Sequence, residues 1–250
     1  MNALLHALEN TVKIMVLDTP EEAGAAAADI VRDCVGANPH AVLGLATGSS
    51  PLPLYDALAD SGEDFSKVTG FALDEYVGLP PGDPRSYACV IDGEVTRRLG
   101  LRPDAVHVPD VSAPDLEASA REYERAITAA GGVDLQILGI GHNGHLAFNE
   151  PGAPFDSRTR VETLTERTRQ ANARFFDSPD QVPTLCMTQG IGTILQARHL
   201  VLIAHGADKA DIISRALQGT VDPECPASAL QLHPHVTVVL DRAAAGSLNR

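Results

Sequence analysis

The sequence predicts a doubly wound α/β fold, a mainly parallel sheet with helices on both faces (Rossmann-like), in a single domain. Three observations carry this expectation. Short apolar runs alternate with amphipathic or alanine-rich stretches along the chain, and strands alternating with helices imply right-handed crossovers and parallel pairing. Runs such as LQILGI and TVVL are apolar on both faces, as a sheet covered by helices requires. At 250 residues the chain is long enough for one sizeable domain and short for two.

TVKIMVLD (11–18) reads as the first strand, and a helix follows from about Pro20 to Val35. Its EEAGAAAADI run fits a close-packed helix better than a low-complexity tract. AVLGLA (41–46) is the second strand, ended by TGSSP, after which LPLYDALAD opens a helix. VTGFALDEY (68–76) is a strand that ends in acidic residues. SYACVIDGEVTRRLG is helical and closes on a glycine stop. AVHVPDV (105–111) is strand-like, and DLEASAREYERAITAAGG is a helix with its own glycine stop. DLQILGIG (134–141) is a buried strand running into GHNGH. Strand-like QARHLVLIAHG, the helix KADIISRALQG and the strand HVTVVLD (235–241) complete the pattern. No internal repeat or linker interrupts it.

Composition narrows the function. A net charge of −14 argues against nucleic acid and anionic membrane as partners, since both need clustered Lys and Arg. It leaves room for a phosphorylated metabolite, which a few cations and helix N-termini can hold. Four cysteines without a CxxC pair fit a reducing compartment and exclude a zinc ribbon. No apolar run reaches membrane-spanning length. The start, MNALLHALENTVKIMVLD, lacks the cationic opening of a signal peptide. The expectation is a soluble, cytoplasmic protein, with room for a homo-oligomer.

Ligands of such folds bind beyond the carboxyl ends of the strands. Three strands end in suggestive loops there: TGSSP, DEYVGLP and GHNGH. Gly139-x-Gly141-x-x-Gly144 formally matches a dinucleotide fingerprint, but it lies past mid-chain, and Pro151–Gly152 interrupts any following helix. His142, His145 and Glu150 hint at a metal, yet three glycines make a regular helix presenting both rings unfavourable. His145 with Glu150 would equally make a proton carrier, against the plainer reading that His145 caps the turn and Glu150 is solvated. Thr47, Gly48, Ser49 and Ser50 suit a phosphate or an ordinary helix cap. Asp74 and Glu75 are adjacent on a strand and so point to opposite faces, which sends at most one into the crevice. A carboxylate there, partly desolvated, could abstract a carbon-bound proton. Arg174 and Lys209 are candidate phosphate cations or solvated surface charges.

Taken together, ALDEYVGL, GIGHNGHLAFNEPG, SRTRVETLTERTRQANARFF and SALQLHP resemble the glucosamine-6-phosphate deaminase family, in order and in spacing, from about residue 40 to 241. The resemblance implies that Asp74 moves a proton between C2 and C1 of an opened amino sugar, and that His145 opens the ring with support from Glu150. It implies a phosphate loop of Thr47, Gly48, Ser49 and Ser50 joined by Arg174 and Lys209, a mobile lid over about 164–183, and no cofactor or metal. Two positions depart from some members. Asn143 stands where an aspartate can complete a triad. Glu162 stands where allosterically activated members carry a basic residue beside the retained Arg160, and their C-terminal tail is longer. Activation by N-acetylglucosamine 6-phosphate is therefore expected to be absent or weak. The alternatives are a 6-phosphogluconolactonase-like hydrolase, which needs no C2 base, and a non-catalytic sugar-phosphate sensor, which would carry a helix-turn-helix and a basic face.

Overall fold

The computed structural model describes residues 12–249, so Thr11 of the first predicted strand and the N-terminal residues read for targeting lie outside it. In chain order the elements are β1 (Val12–Leu17), α1 (Pro20–Ala37), β2 (Val42–Leu45), α2 (Leu52–Ala59), β3 (Thr69–Ala72), β4 (Asp74–Val77), α3 (Tyr87–Ile91), α4 (Arg97–Leu99), β5 (Val106–His107), α5 (Leu116–Ala129), β6 (Leu135–Leu138), β7 (Arg160–Thr163), α6 (Glu166–Asn172), β8 (Leu185–Thr188), α7 (Ile191–Ile194), β9 (His199–Ala204), α8 (Ala210–Gln218) and β10 (Val236–Asp241).

Seven of the strands form one sheet in the order β1-β10-β9-β6-β2-β3-β5, with every pairing parallel. All residues of β2, β6 and β10 are buried, which is why their sequences are mostly apolar without alternation, Gln136, Thr237 and Asp241 being the buried polar exceptions. Each fully buried Leu, Ile or Val there contributes about 1.5–3 kcal/mol. Helix starts follow local capping chemistry. Thr19 Oγ1 accepts the Glu22 N–H at 3.1 Å ahead of Pro20, and Asp115 caps α5 through the Ala118 N–H at 2.9 Å.

From β2 the chain runs outward through β3 to β5, then returns with β6 on the other side of β2 and runs outward again to β9 and β10. The winding therefore reverses between β2 and β6. At that reversal the loops beyond the strand ends diverge and leave a crevice.

A second sheet was not foreseen. It is three-stranded and antiparallel, β4-β8-β7. The predicted strand 68–76 is in fact two strands in different sheets. Leu73 is the junction: its N–H closes the first sheet on Leu45 O (3.2 Å), and its carbonyl accepts Gln189 N–H (2.8 Å). The strand expected over 105–111 shrinks to Val106–His107 at the sheet edge. Tyr76, Phe148, Leu164, Val182 and Cys186 form a small separate core by the second sheet, with Phe176 and Tyr87 packed against it.

Candidate active site

A cavity of about 410 Å³ opens at the β2/β6 reversal. Its walls come from the loops that follow β2 (Thr47 to Ser50), β6 (Gly139 to His145) and β9 (His205 to Lys209), from the start of β4 (Asp74), and from the segment after β7 (Asn172, Arg174, Phe175). Asp74, His145, the Thr47–Ser50 loop, Arg174 and Lys209 thus share one cavity. Asn143 and Glu150 stand behind the lining rather than in it.

Leaving the first sheet at Leu73 aims the two acidic residues differently. Asp74 faces the cavity and is 6% exposed. Burial, and secondarily the Glu75 charge, hold its carboxyl well above the usual carboxylate range. Glu75 points to the opposite face, where it accepts the N–H groups of Tyr76 (2.7 Å), Tyr87 (2.9 Å) and Ala88 (2.7 Å). It thereby ties the start of α3 to β4 and sets Tyr87 in the cavity wall beside Asp74.

The glycine-rich loop after β6 is a chain of turns, closed by Gly144 N–H to Gly141 O (3.0 Å) and Gly141 N–H to His145 O (3.0 Å). Two of its positions require glycine: at Gly141 a Cβ would lie 2.2 Å from the His145 ring, and Gly144 takes φ +86° with a Cβ 2.7 Å from Cys225 Sγ. Ala147, in the cavity wall, holds a left-handed φ of +53°, a strain of about 1–2 kcal/mol for an L-residue. The His145 ring is buried, and burial, opposed by Glu150 and aided by Lys209, His142 and Arg167, pushes its pKa down to about 4. The imidazole is therefore neutral near pH 7. Its Nδ1 has no hydrogen-bond partner among the described residues.

Glu150 meets His145 through Asn143 rather than by a hydrogen bond to the ring. Glu150 Oε2 accepts Asn143 Nδ2 (2.7 Å), and Asn143 Oδ1 accepts the His145 N–H (3.3 Å). Glu150 Oε1 accepts the hydroxyls of Thr165 (3.1 Å) and Thr168. The carboxylate thus reaches the histidine through Asn143 and also grips the first turn of α6. His142 turns instead to Asp208, 3.5 Å from its Nδ1. The three groups read as a metal candidate do not converge, and no cluster of three metal-ligating side chains occurs among the described residues.

For the loop after β2, the cap reading fails. Helix α2 has Pro51 as its N-cap and no side-chain cap bond, so the Ser49 and Ser50 hydroxyls are not spent on capping. Gly48 takes φ +92°, which turns the loop into the cavity at no steric cost. Opposite, Lys209 Nζ donates to Ile140 O (3.0 Å). Burial lowers its pKa, with Asp208 opposing and Arg174 adding to the effect. Sequence reasoning missed Tyr87, Asn172, His205 and Thr168. None belongs to a short motif, and only the tertiary fold brings them in.

This arrangement is matched elsewhere. Residues 18–239 fit the family model described as glucosamine-6-phosphate isomerases/6-phosphogluconolactonase. The chain belongs to that family. Within it, the chain is 54% identical over 241 residues to the glucosamine-6-phosphate deaminase of Arthrobacter sp. (strain FB24), covering 95% of this chain and 93% of that protein. It is 52% identical over 242 residues to the one from Mycolicibacterium smegmatis, with 95% and 93% covered. A solved structure of a monomeric glucosamine-6-phosphate deaminase superposes with a TM-score of 0.91 at 43% identity, covering 94% of this chain and all of that one. The 6-phosphogluconolactonase of Trypanosoma brucei superposes at 0.74 with 22% identity, covering 96% of this chain and 99% of that one; that likeness shows the family fold alone.

Proposed function

We propose that this chain is a glucosamine-6-phosphate deaminase that converts glucosamine 6-phosphate and water to fructose 6-phosphate and ammonia. The observation that carries the reading is one cavity lined by a desolvated carboxyl, a neutral buried imidazole and a hydroxyl-bearing loop with two cations: Asp74, His145, Thr47–Ser50, Arg174 and Lys209. The names of its relatives support the same substrate.

The residues suit each step. The phosphate lies on the Thr47–Ser50 loop, held by Lys209 and Arg174. A neutral His145 takes the proton of the C1 hydroxyl and returns it to the ring oxygen, opening the pyranose. Asp74, its basicity raised by burial, takes the C2 proton while the C2 ammonium passes one proton to O1, leaving an enolamine; Asp74 then gives its proton to C1 on the same face, leaving a C2 iminium. Water adds at C2 and ammonia leaves. Asn143 and Glu150 position the histidine loop. The segment 164–183 acts as a lid that excludes water from the enolamine, a role supported by Asn172, Arg174 and Phe175 lining the cavity.

Regulation by a second phosphorylated sugar is weak or absent in this reading, because Arg160 is already engaged. Its Nε donates to Glu162 (2.6 Å) and its Nη1 to Asn149 Oδ1 (3.0 Å). The protein acts in the cytoplasm on a free metabolite. No described helix is long and apolar enough to cross a membrane. Ammonia release across a panel of phosphorylated amino sugars, with 6-phosphogluconolactone hydrolysis alongside, tests the assignment. Lactone turnover without ammonia would replace it with the hydrolase reading, and binding without any turnover with the sensor reading.

A further inference from the structure

Arg85 lies in the turn between β4 and α3, outside the cavity lining, and two edges and one face of its guanidinium are engaged. One edge faces Asp83, whose two oxygens accept Nε (2.7 Å) and Nη2 (2.6 Å). The Asp83 oxygen also accepts the Arg85 backbone N–H at 2.9 Å, so the carboxylate fixes both the turn and the fork. The free Nη1 donates to Gln181 Oε1 at 2.8 Å. The flat face lies 5.0 Å from the centre of the Phe176 ring.

Phe176 and Gln181 both belong to the segment over the cavity, far in sequence from Arg85. The Phe176 and Tyr76 rings also pack in a T shape, their centroids 5.8 Å apart, and the Tyr76 hydroxyl accepts Asn172 Nδ2 at 2.8 Å. The segment is thus tied near its start through Thr165 and Thr168 to Glu150, in the middle through Asn172, and at its far end through Arg85.

The geometry points to Arg85 as a positioning residue that clamps residues 176–181 to the body of the protein, so that Asn172, Arg174 and Phe175 stay over the cavity. This rests on reading 164–183 as the lid of a sugar-phosphate enzyme. A planar guanidinium can pair with a carboxylate, donate sideways and stack at once; a lysine ammonium cannot. Releasing the clamp lowers the fraction of molecules with Arg174 in place, and apparent affinity falls in proportion to that fraction. Chemistry at Asp74 and His145 is untouched once substrate is bound.

The test uses the full chain with Arg85→Ala, Arg85→Lys, Gln181→Ala and the Arg85→Ala/Gln181→Ala pair, measuring ammonia release from glucosamine 6-phosphate and amide hydrogen exchange. The expected result for Arg85→Ala is a KM raised about three- to tenfold with kcat within about twofold, and faster exchange confined to about residues 166–182. Arg85→Lys recovers only part of the loss, and the double variant is little worse than Arg85→Ala alone. Unchanged KM with unchanged exchange in that segment would overturn the clamp. So would full recovery by lysine, or a parallel fall in kcat with faster exchange across the seven-stranded sheet. A native protein that releases no ammonia would sink the deaminase reading, while the exchange data would still decide whether Arg85 holds the segment.

Discussion

Replacing Gly141 with alanine puts a methyl group where the His145 ring already lies. The new Cβ would stand 2.2 Å from the ring, and an ordinary contact begins at 3.4 Å, so the ring must retreat by about 1.2 Å. Gly141 is not among the glycines with positive φ, so alanine meets no backbone penalty there and the effect acts through the ring. Misplacing a catalytic group by about 1 Å costs about 10²-fold in rate, and overpacking of this kind costs about 1–3 kcal/mol of stability. Gly141→Ala should therefore lower kcat for ammonia release about 10²-fold, with a Tm lower by some 2–12 °C. The assay is steady-state kinetics on glucosamine 6-phosphate, in the native chain and in a His145→Ala background. In that background Gly141→Ala should cost nothing further, since the ring it displaces is gone. Retention of kcat within about threefold in the single variant, or a full additive loss in the double one, would refute the role given to His145.

Three further outcomes follow from the same geometry. The His145 pKa is lower folded than unfolded, so the unfolded chain binds more protons between about pH 4 and 6.5 and stability rises with pH across that window; at most about 3 kcal/mol is lost on acidification, and His145→Gln should flatten part of that slope in pH-dependent thermal unfolding. Thr168→Val removes a hydroxyl from Glu150 and frees the carboxylate toward the unpartnered His145 Nδ1, so the acid limb of kcat/KM should move to higher pH; an unmoved or lowered limb counts against the link. Adding N-acetylglucosamine 6-phosphate should leave kinetics hyperbolic and KM unchanged, whereas a clear fall in KM would show that the Arg160–Glu162 pair opens to an anion.

The parallel sheet was legible because its strands are buried on both faces, so runs such as VLGL, LQIL and TVVL stay apolar without alternation. The second sheet was not, because RVET is only partly buried and too polar to separate from a loop. Asp74 and Glu75 illustrate the boundary. Strand alternation foretold that at most one of them enters the crevice, but which one depends on the change of sheet at Leu73, a tertiary event. TGSSP gave phosphate and cap readings equal standing until α2 proved to start without a side-chain cap. The Glu150 contacts with Asn143, Thr165 and Thr168 depend on how α6 docks, which no local spacing encodes. Arg85 sits in GDPRSY, an unremarked turn, and gains its partners only because residues 176–181 fold back over it.

Ammonia and fructose 6-phosphate formed from glucosamine 6-phosphate by the native chain and by Asp74→Asn test the central claim most directly. The native chain should form the two in equal amounts, and the variant should be slower by about 10²–10⁴-fold while substrate still raises its Tm. An Asp74→Asn enzyme near the native rate, or a native chain that releases no ammonia, would contradict it.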